Sequence, residues 1–493
     1  MGEINTREAA PGIPAVDVEA VNAAGRTSFY KAREPIYPKR IHGKFRTIKW
    51  GVMAVMVAIY YTLPWIRWER APGLPNQAFL LDFAHQRMYM FGLELWAQEL
   101  YFVTGVLVLS ALGLFLVTSV AGRVWCGFAC PQTVWTDLTM AVEHFWQGDR
   151  NARIRIQRLP WNLEKIWKKG ITYFTWFLIS LATGGVFVFY FADAPTLAYQ
   201  MVHFEAPTIA YVFAGICTAF TYVFGGMLRE QVCTYMCPWP RVQGALFDRE
   251  SLLITYRGYR GEPRGPHKRG EPWEGRGDCI DCRACVAACP AGIDIRDGLQ
   301  LQCIQCALCI DACDEIMTKV GRPTKLVAYD SFRNLDAASH GDRAPYRFIR
   351  PRTMLYAAMV TIVSLVMLYG LVNKSVLELN VLPDRNPLYV RLAEGGIRNG
   401  FVVHILNKTY QPRTFLLTAD GLPGAKLAAV GFEGKETLEV SVPPDDVRSV
   451  KVYVSVPKEG VDSLTQTATP FTFMVRDLEN QAVRRRSTNF RKP

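Results

Sequence analysis

The chain has 493 residues, half of them hydrophobic and 20% charged, with a formal net charge of +12, and is long enough for two or three domains. Mean hydropathy is nonetheless near zero, as expected when apolar membrane spans are averaged with polar extramembrane parts. The surplus bases lie mostly beside apolar spans, where they set topology; no zinc finger, helix–turn–helix or aromatic RNA-binding signature accompanies them, which argues against nucleic acid as a partner.

Residues 1–46 are polar, carry no early apolar core of a signal peptide, and end in the basic run Lys31, Arg33, Lys39, Arg40, Lys44 and Arg46, which reads as a cytoplasmic N-terminal segment. Segments at about 47–66, 99–121, 170–192, 207–228 and 353–373 follow, each long enough to cross a bilayer, for which about 20 helical residues suffice. The fourth is weakest: Thr218, Thr221 and several glycines dilute it, and a buried soluble helix is the competing reading. Loop charge orients the set. The connection between spans two and three carries Arg123, Arg150, Arg153, Arg155, Arg158, Lys165, Lys168 and Lys169. The loop around 193–206 has no Lys or Arg, and that between spans one and two only Arg67, Arg70 and Arg87. This asymmetry puts the N-terminus, the basic connection and residues 229–352 in the cytoplasm, and the fifth span then exports everything after about residue 374. Trp65, Trp68 and Trp96 suit the outer interface.

Span two ends in Cys126-Gly-Phe-Ala-Cys130-Pro131 and span four in Cys233-Thr-Tyr-Met-Cys237-Pro238, an internal repeat of span, C-x3-C-P and amphipathic stretch. After Pro131, residues Val134, Leu138, Ala141 and Phe145 recur at helical spacing, and proline suits the first turn of such a helix. Cysteines four apart on a helix share a face, so paired motifs offer four sulfurs to one soft site favouring Cu(I), zinc or iron–sulfur chemistry. Arg123, Arg229 and Arg241 are expected to lower the thiol pKa values. Buried thiols packing as small hydrophobes are the bland alternative; the duplication with matched prolines favours a metal or redox role. Cys217, alone within span four, reads as packing. His85, Met88 and Met90 in one outer loop, and Met201 and His203 in the next, are copper-compatible types, although interfacial packing accounts for them as well. His267 and His340 read as solvated loop residues.

Of thirteen cysteines, eight fall within residues 279–313 and none follows Cys313, a pattern of metal ligands in a reducing compartment rather than of disulfides. They form two C-x2-C-x2-C-x3-C runs, the spacing of bacterial two-cluster ferredoxins, in which the fourth cysteine crosses to the other cluster. Cys279, Cys282, Cys285 and Cys313 are therefore expected on one [4Fe–4S] cluster, and Cys303, Cys306, Cys309 and Cys289 on the other. Zinc prefers paired C-x2-C knuckles. One departure is Asp314, where the first run has Pro290; the missing ring is expected to loosen that turn. Adjacent clusters suit an electron relay better than a purely structural role.

Beyond the fifth span the pattern changes to period two. Val450, Val452, Val454 and Val456 alternate with polar residues, as do Leu438, Val440 and Val442, and Phe401, Val403 and Ile405; breaks are expected at Pro443-Pro444, Asp420-Gly421 and Asn399-Gly400. This reads as an antiparallel β-sandwich of roughly 110 residues, a docking or stabilising module without catalytic groups.

Both C-x3-C-P motifs, the stretch FDRESLLITYRGYRGEPRG and the run through CIQCALCIDACDE resemble the CcoG (FixG/RdxA) family, accessory factors in making cbb-type cytochrome c oxidase. The C-x3-C-P repeat alone is shared with wider NapH and NosR types of membrane ferredoxin. The resemblance covers nearly the whole chain. It implies an α-helical bacterial inner-membrane protein divided as follows: 1–46 N-terminal segment; 47–250 four-helix membrane domain; 251–352 two-[4Fe–4S] ferredoxin domain; 353–373 fifth helix; 374–493 periplasmic immunoglobulin-like sandwich. It further implies a cupric reductase, with copper held by Cys126, Cys130, Cys233 and Cys237, an unknown cytoplasmic electron donor, and copper-handling proteins and oxidase subunits as partners. Two rivals remain: a quinol-oxidising electron-transfer subunit, and a copper chaperone or scaffold with structural clusters. No Rossmann-type glycine fingerprint supports a flavin.

Overall fold

Five helices, Lys44–Trp65, Ala97–Ala121, Leu163–Val188, Thr208–Leu228 and Pro351–Val372, are long and apolar enough to cross a membrane. Leu107, Ile362 and Leu365 on them are more than half exposed, a liability in water but ordinary solvent contact in lipid. The architecture is that of an α-helical membrane protein with ferredoxin-like and all-β parts. The computed structural model describes residues 8–10, 12–21, 35–70, 73–268, 271–342, 344–429, 432–435 and 437–493. Lys31 and Arg33 of the basic run lie outside the described residues. Contacts divide the chain into two units, Met1–Met367 and Leu368–Pro493.

In the first unit, span three starts earlier than its hydropathy suggests. The Asn162 side chain accepts the N–H of Lys165 at 2.9 Å and caps the helix, so the basic turn that follows is already helical. Span four is α-helical over Thr208–Phe220 and then widens to a π-helix over Thr221–Leu228. Its diluting threonines are satisfied internally, the Thr218 and Thr221 hydroxyls bonding back to the carbonyls of Ala214 and Cys217. The connection between spans one and two, expected as a loop, folds into a three-stranded antiparallel sheet of Phe79–Asp82, Arg87–Met90 and Leu93–Trp96. Trp65 and Trp68 stay exposed there, whereas Trp96 is buried beneath the Arg87 guanidinium.

The cysteine run lies between two paired strands, Leu253–Tyr256 and Val327–Asp330. The N-terminal segment joins its core. Ala9, Ala10 and Ile13 bury against Ile280 and Met317, and the Val16 N–H donates to the Cys282 carbonyl at 2.9 Å. The Asp311 carboxylate accepts the N–H groups of Phe45 and Arg46 at 3.2 and 2.7 Å, capping span one from the second cysteine run.

The second unit is a two-sheet antiparallel sandwich. One sheet runs Phe432–Lys435, Lys426–Ala429, Asp446–Val456, Ile397–Asn407, Leu377–Pro383, with Val390–Arg391 also paired to Ile397–Asn407; the other runs Thr437–Val442, Arg413–Asp420, Ala468–Asp477, Val483–Arg491. Phe401, Val403, Ile405, Leu438, Val440, Val442, Val452, Val454 and Val456 all enter its core, with Val450 packed at the edge. Pro443-Pro444 and Asp420-Gly421 stand at strand ends, but Asn399-Gly400 sits inside Ile397–Asn407. Gly400 is there for close approach rather than for a turn. Its carbonyl accepts the Asp384 N–H at 2.9 Å, and a side chain would collide with the Asp384 carboxylate.

Candidate metal and redox site

The two C-x3-C-P segments repeat in conformation as well as in sequence. Four residues before the first cysteine of each, Gly122 (φ 60°) and Arg229 (φ 43°) both turn the chain with positive φ. The second cysteine's N–H then reaches back five residues, Cys130 to the Trp125 carbonyl at 2.9 Å and Cys237 to that of Val232 at 2.8 Å. Cys126 lies on the short helix Val124–Phe128 and Cys233 on the π-turn Val232–Met236, while Cys130 and Cys237 are extended. Each pair therefore straddles a helix end instead of sharing one helix face. The cause is the next residue, because proline pushes its predecessor out of the α region. Pro131 then opens the helix Pro131–Trp146, as its position at a first turn requires.

The motifs grip each other. The Cys126 thiol donates to Gln243 Oε1 at 3.0 Å, from the helix following the second motif. Gln132, just after the first motif, donates to the carbonyls of Phe224 and Arg229. Cys126 lies within electrostatic range of Cys130 and Cys237, and Cys233 of Cys126, Cys130 and Cys237. Burial pushes the Cys126 and Cys233 thiols each up to about 12. The expected arginine-driven lowering is thus overruled: Arg123 acts on Cys126 in the anticipated direction, but desolvation is larger. Arg229 is engaged elsewhere, with Glu143 and the Gly226 carbonyl. Such sulfurs become anionic by exchanging a proton for a soft metal rather than by ionising in water.

The eight-cysteine run surrounds two cavities. Cys289, Cys303, Cys306 and Cys309 line one, and Cys279, Cys282 and Cys313 the other; Cys285 borders both. Asp281 and Arg283 in the first run, and Gln305 and Ala307 in the second, take matching left-handed conformations, which turn successive N–H groups inward as in anion-binding nests. The N–H of Ala284 points to the Cys282 sulfur, that of Gln305 to Cys303, those of Ile293 and Ala291 to Cys289, and that of Val327 to Cys313. Burial raises Cys303 to about 11 and Cys289 and Cys313 to about 12. Sulfur-lined, N–H-rich cavities in a buried setting fit [4Fe–4S] cubanes. Among the described residues no three His, Cys, Asp or Glu side chains are arranged for a single metal ion, the four C-x3-C-P thiols included, whereas the sulfurs of the eight-cysteine run line two cavities. The Pro290-to-Asp314 departure does not loosen the second turn. Without the ring, the helix Leu308–Lys319 continues past Cys313, and Asp314 Oδ1 accepts the Lys325 N–H at 2.6 Å.

The two sulfur sites abut. A Cβ on Gly127 would lie 2.7–2.9 Å from the backbone of Ile304 and Gln305, between Cys303 and Cys306. Arg123 is 2% exposed and donates to the carbonyls of Leu301, Cys303 and Pro240; among the described residues it has no carboxylate partner. Its charge is felt by Cys303, Cys126 and Cys233 together. Burying a guanidinium without an anion costs several kcal/mol, a cost that the three carbonyls around Arg123 offset in part. Further cations crowd one carboxylate each, Arg46 and the 2%-exposed Lys49 on Asp137, and Arg153 and Arg229 on Glu143.

The remaining candidates are otherwise occupied. His85 bonds Asp82 at 2.7 Å, and Met88 and Met90 lie on the strand Arg87–Met90. His203 bonds the Tyr199 carbonyl and stacks on that ring, near Met201 on the same helix end. Cys217 is half-buried in span four, His267 stacks on Trp273, and His340 bonds the Asp336 carbonyl. Gln243, Lys49 and Glu143 carry the site's polar frame but belong to no motif, and Gln305 joins them from inside the second cysteine run.

Residues 228–332 match a family described as a 4Fe-4S dicluster domain, residues 103–146 a 4Fe-4S binding domain, and residues 367–493 the IG-like fold at the C-terminal of FixG. The chain is 48% identical over 475 residues to the nitrogen fixation protein FixG of Rhizobium meliloti, covering 90% of each chain. It is 48% identical over 456 residues to protein RdxB of Cereibacter sphaeroides, covering 92% of this chain and 95% of that one. Protein RdxA of the same organism is 47% identical over 451 residues, with 91% and 94% covered.

Proposed function

Since the chain belongs to the FixG family of iron–sulfur membrane proteins, we propose that it reduces Cu(II) to Cu(I) at Cys126, Cys130, Cys233 and Cys237, supplying copper for assembly of a cbb-type cytochrome c oxidase. Cys279, Cys282, Cys285 and Cys313 hold one [4Fe–4S] cluster in this reading, and Cys303, Cys306, Cys309 and Cys289 the other. When bound, the clusters supply single-electron chemistry. The N-terminus and the clusters face the cytoplasm, and the β-sandwich faces the periplasm, where it docks an oxidase subunit or another assembly factor.

The observation that carries this reading is the contact between Gly127, one residue after Cys126, and the backbone between Cys303 and Cys306. It brings the main chain next to Cys126 directly against the loop between Cys303 and Cys306. Copper is the substrate: each Cu(II) gains one electron, and soft thiolates stabilise the Cu(I) formed. Arg123 holds both loops through main-chain carbonyls and keeps a positive charge beside them. Gln243 orients the Cys126 sulfur.

The test is to change all four C-x3-C-P cysteines to serine and to follow Cu(I) appearance with a specific chelator after reducing the detergent-solubilised protein. Copper reduction should collapse while iron and acid-labile sulfide stay constant. Undiminished reduction with intact clusters rejects the assignment. Stoichiometric Cu(I) binding by the native protein, without faster Cu(II) reduction, makes it a copper carrier instead.

A further inference from the structure

A cavity of about 400 Å³ lies where the chain enters its first span, a size that accommodates a small organic ligand. Thr47 and Trp50 on its wall belong to the first two turns of the span Lys44–Trp65, so the cavity sits at the boundary between bilayer and water. Its opposite wall includes Ala288, Pro290 and Leu308, the sequence neighbours of Cys289 and Cys309. One ligand site thus faces the lipid boundary on one side and the ligand loops of a cluster on the other. Resting on the reading that those cysteines hold a cluster, we propose that this cavity binds a lipid-soluble hydroquinone, and that this quinol is the electron donor.

The lining suits that ligand. Trp50 and Phe145 flank the cavity, and Phe145 is 76% exposed, a large aromatic left uncovered where a planar ring would stack. A hydroquinone needs an acceptor for its O–H. Asp137 is committed, accepting two bonds from Arg46 at 2.8 and 3.0 Å. His144 is available: its Nε2 meets the Pro38 carbonyl at 3.1 Å, and donation there leaves the lone pair on Nδ1. Burial keeps this imidazole below its ordinary pKa and therefore neutral at neutral pH. Lys39, Arg40 and Arg46 also line the cavity, but the N–H groups that open span one already serve Asp311, so a phosphate would find cationic side chains without a free helix N-terminus behind them. Oxidation breaks two O–H bonds per quinol and yields a quinone, two protons and two electrons. The protons pass by way of His144 to water; the two cysteine sets would hold the clusters that accept the two electrons singly, for delivery to two Cu(II) ions.

The experiment uses the full-length protein, purified without oxygen with its clusters. An azidoquinone is photo-crosslinked and the labelled peptides mapped; separately, decylubiquinol is mixed in and cluster bleaching followed. Label is expected within residues 38–50 or 137–145. Ala141→Phe, which fills the cavity, is expected to cut labelling and quinol-driven bleaching about tenfold, with dithionite-driven copper reduction unchanged. His144→Gln keeps the label and slows bleaching. Label elsewhere, or bleaching at the native rate in both variants, overturns the proposal. So does reduction of the clusters by a nicotinamide or flavin nucleotide that quinone does not displace. Absent label with copper still reduced after dithionite leaves the cupric-reductase reading standing; quinol bleaching through the cavity without copper reduction removes that reading alone.

Discussion

The main-chain N–H of Arg123 donates to the side-chain oxygen of Gln305 at 2.8 Å, across 182 positions of sequence. The first membrane cysteine motif and the second cysteine run are thereby joined by a bond inside the protein, since Gln305 is fully buried and its own carbonyl is held by the Tyr329 hydroxyl at 2.9 Å. Gln305→Leu leaves the Arg123 donor unpaired in the interior, at a cost of about 1–3 kcal/mol, and should lower the melting temperature measurably. Arg123→Gln removes the positive charge between the sulfur sites. It should make the cluster nearest Cys303 harder to reduce, seen as a lower midpoint potential in an EPR titration, while Arg123→Lys recovers part of the difference. An unmoved potential in Arg123→Gln would show that this charge has no say in the redox step.

Glu143 serves two arginines. One carboxylate oxygen pairs with Arg153 and the other with Arg229, and Arg229 is the residue whose positive φ starts the second motif. Glu143→Leu leaves two buried guanidinium groups without an anion and should destabilise the first unit by about 3–5 kcal/mol. Loss of the second motif's thiol accessibility pattern, read by alkylation of Cys233 and Cys237, should accompany it. Normal stability in that variant would mean the pair is solvated in ways its burial denies.

Burial alone would raise the Asp294 carboxyl, but hydrogen bonds from the Arg296 main chain and guanidinium win and hold it below the usual range. A group with a depressed folded pKa contributes stability that is complete above its unfolded value and lost as pH falls through the folded one. The melting-temperature gap between the native protein and Asp294→Asn should be full at neutral pH and close below about pH 4. A gap independent of pH would assign it to packing.

Much of this molecule is legible in its residues, and the exceptions share a cause. Spacing in the two cysteine runs and valine alternation in Asp446–Val456 specify local structure, because both are short-range patterns with one low-energy outcome. Asn399-Gly400 misled because glycine serves both turns and close approaches, and only the distant Asp384 decides between them. The arginine effect on Cys126 misled for a related reason: sequence shows charge proximity but not desolvation. Gln243 and Lys49 were invisible since a buried polar residue in no motif announces itself only through its tertiary partner, and Gln305 sits at a position that the C-x2-C spacing leaves open.

The contact at Gly127 offers the sharpest separation of structure from chemistry. An alanine there must displace the carbonyl oxygens of Ile304 and Gln305, which are backbone and belong to a loop held at both ends by buried cysteines. Gly185, in span three, has nothing within 4 Å of the same added atom. Gly185→Ala should therefore be neutral or stabilise its helix by up to about 1 kcal/mol. Gly127→Ala has to push the Cys126 helix away from the Cys303–Cys306 loop, and overpacking of this kind costs about 1–3 kcal/mol. If electrons cross at that contact, Gly127→Ala should slow copper reduction from pre-reduced clusters more than it lowers cluster content, and Gly185→Ala should change neither. Equal rates in the two variants would move the crossing point away from Gly127 even if the copper chemistry stands.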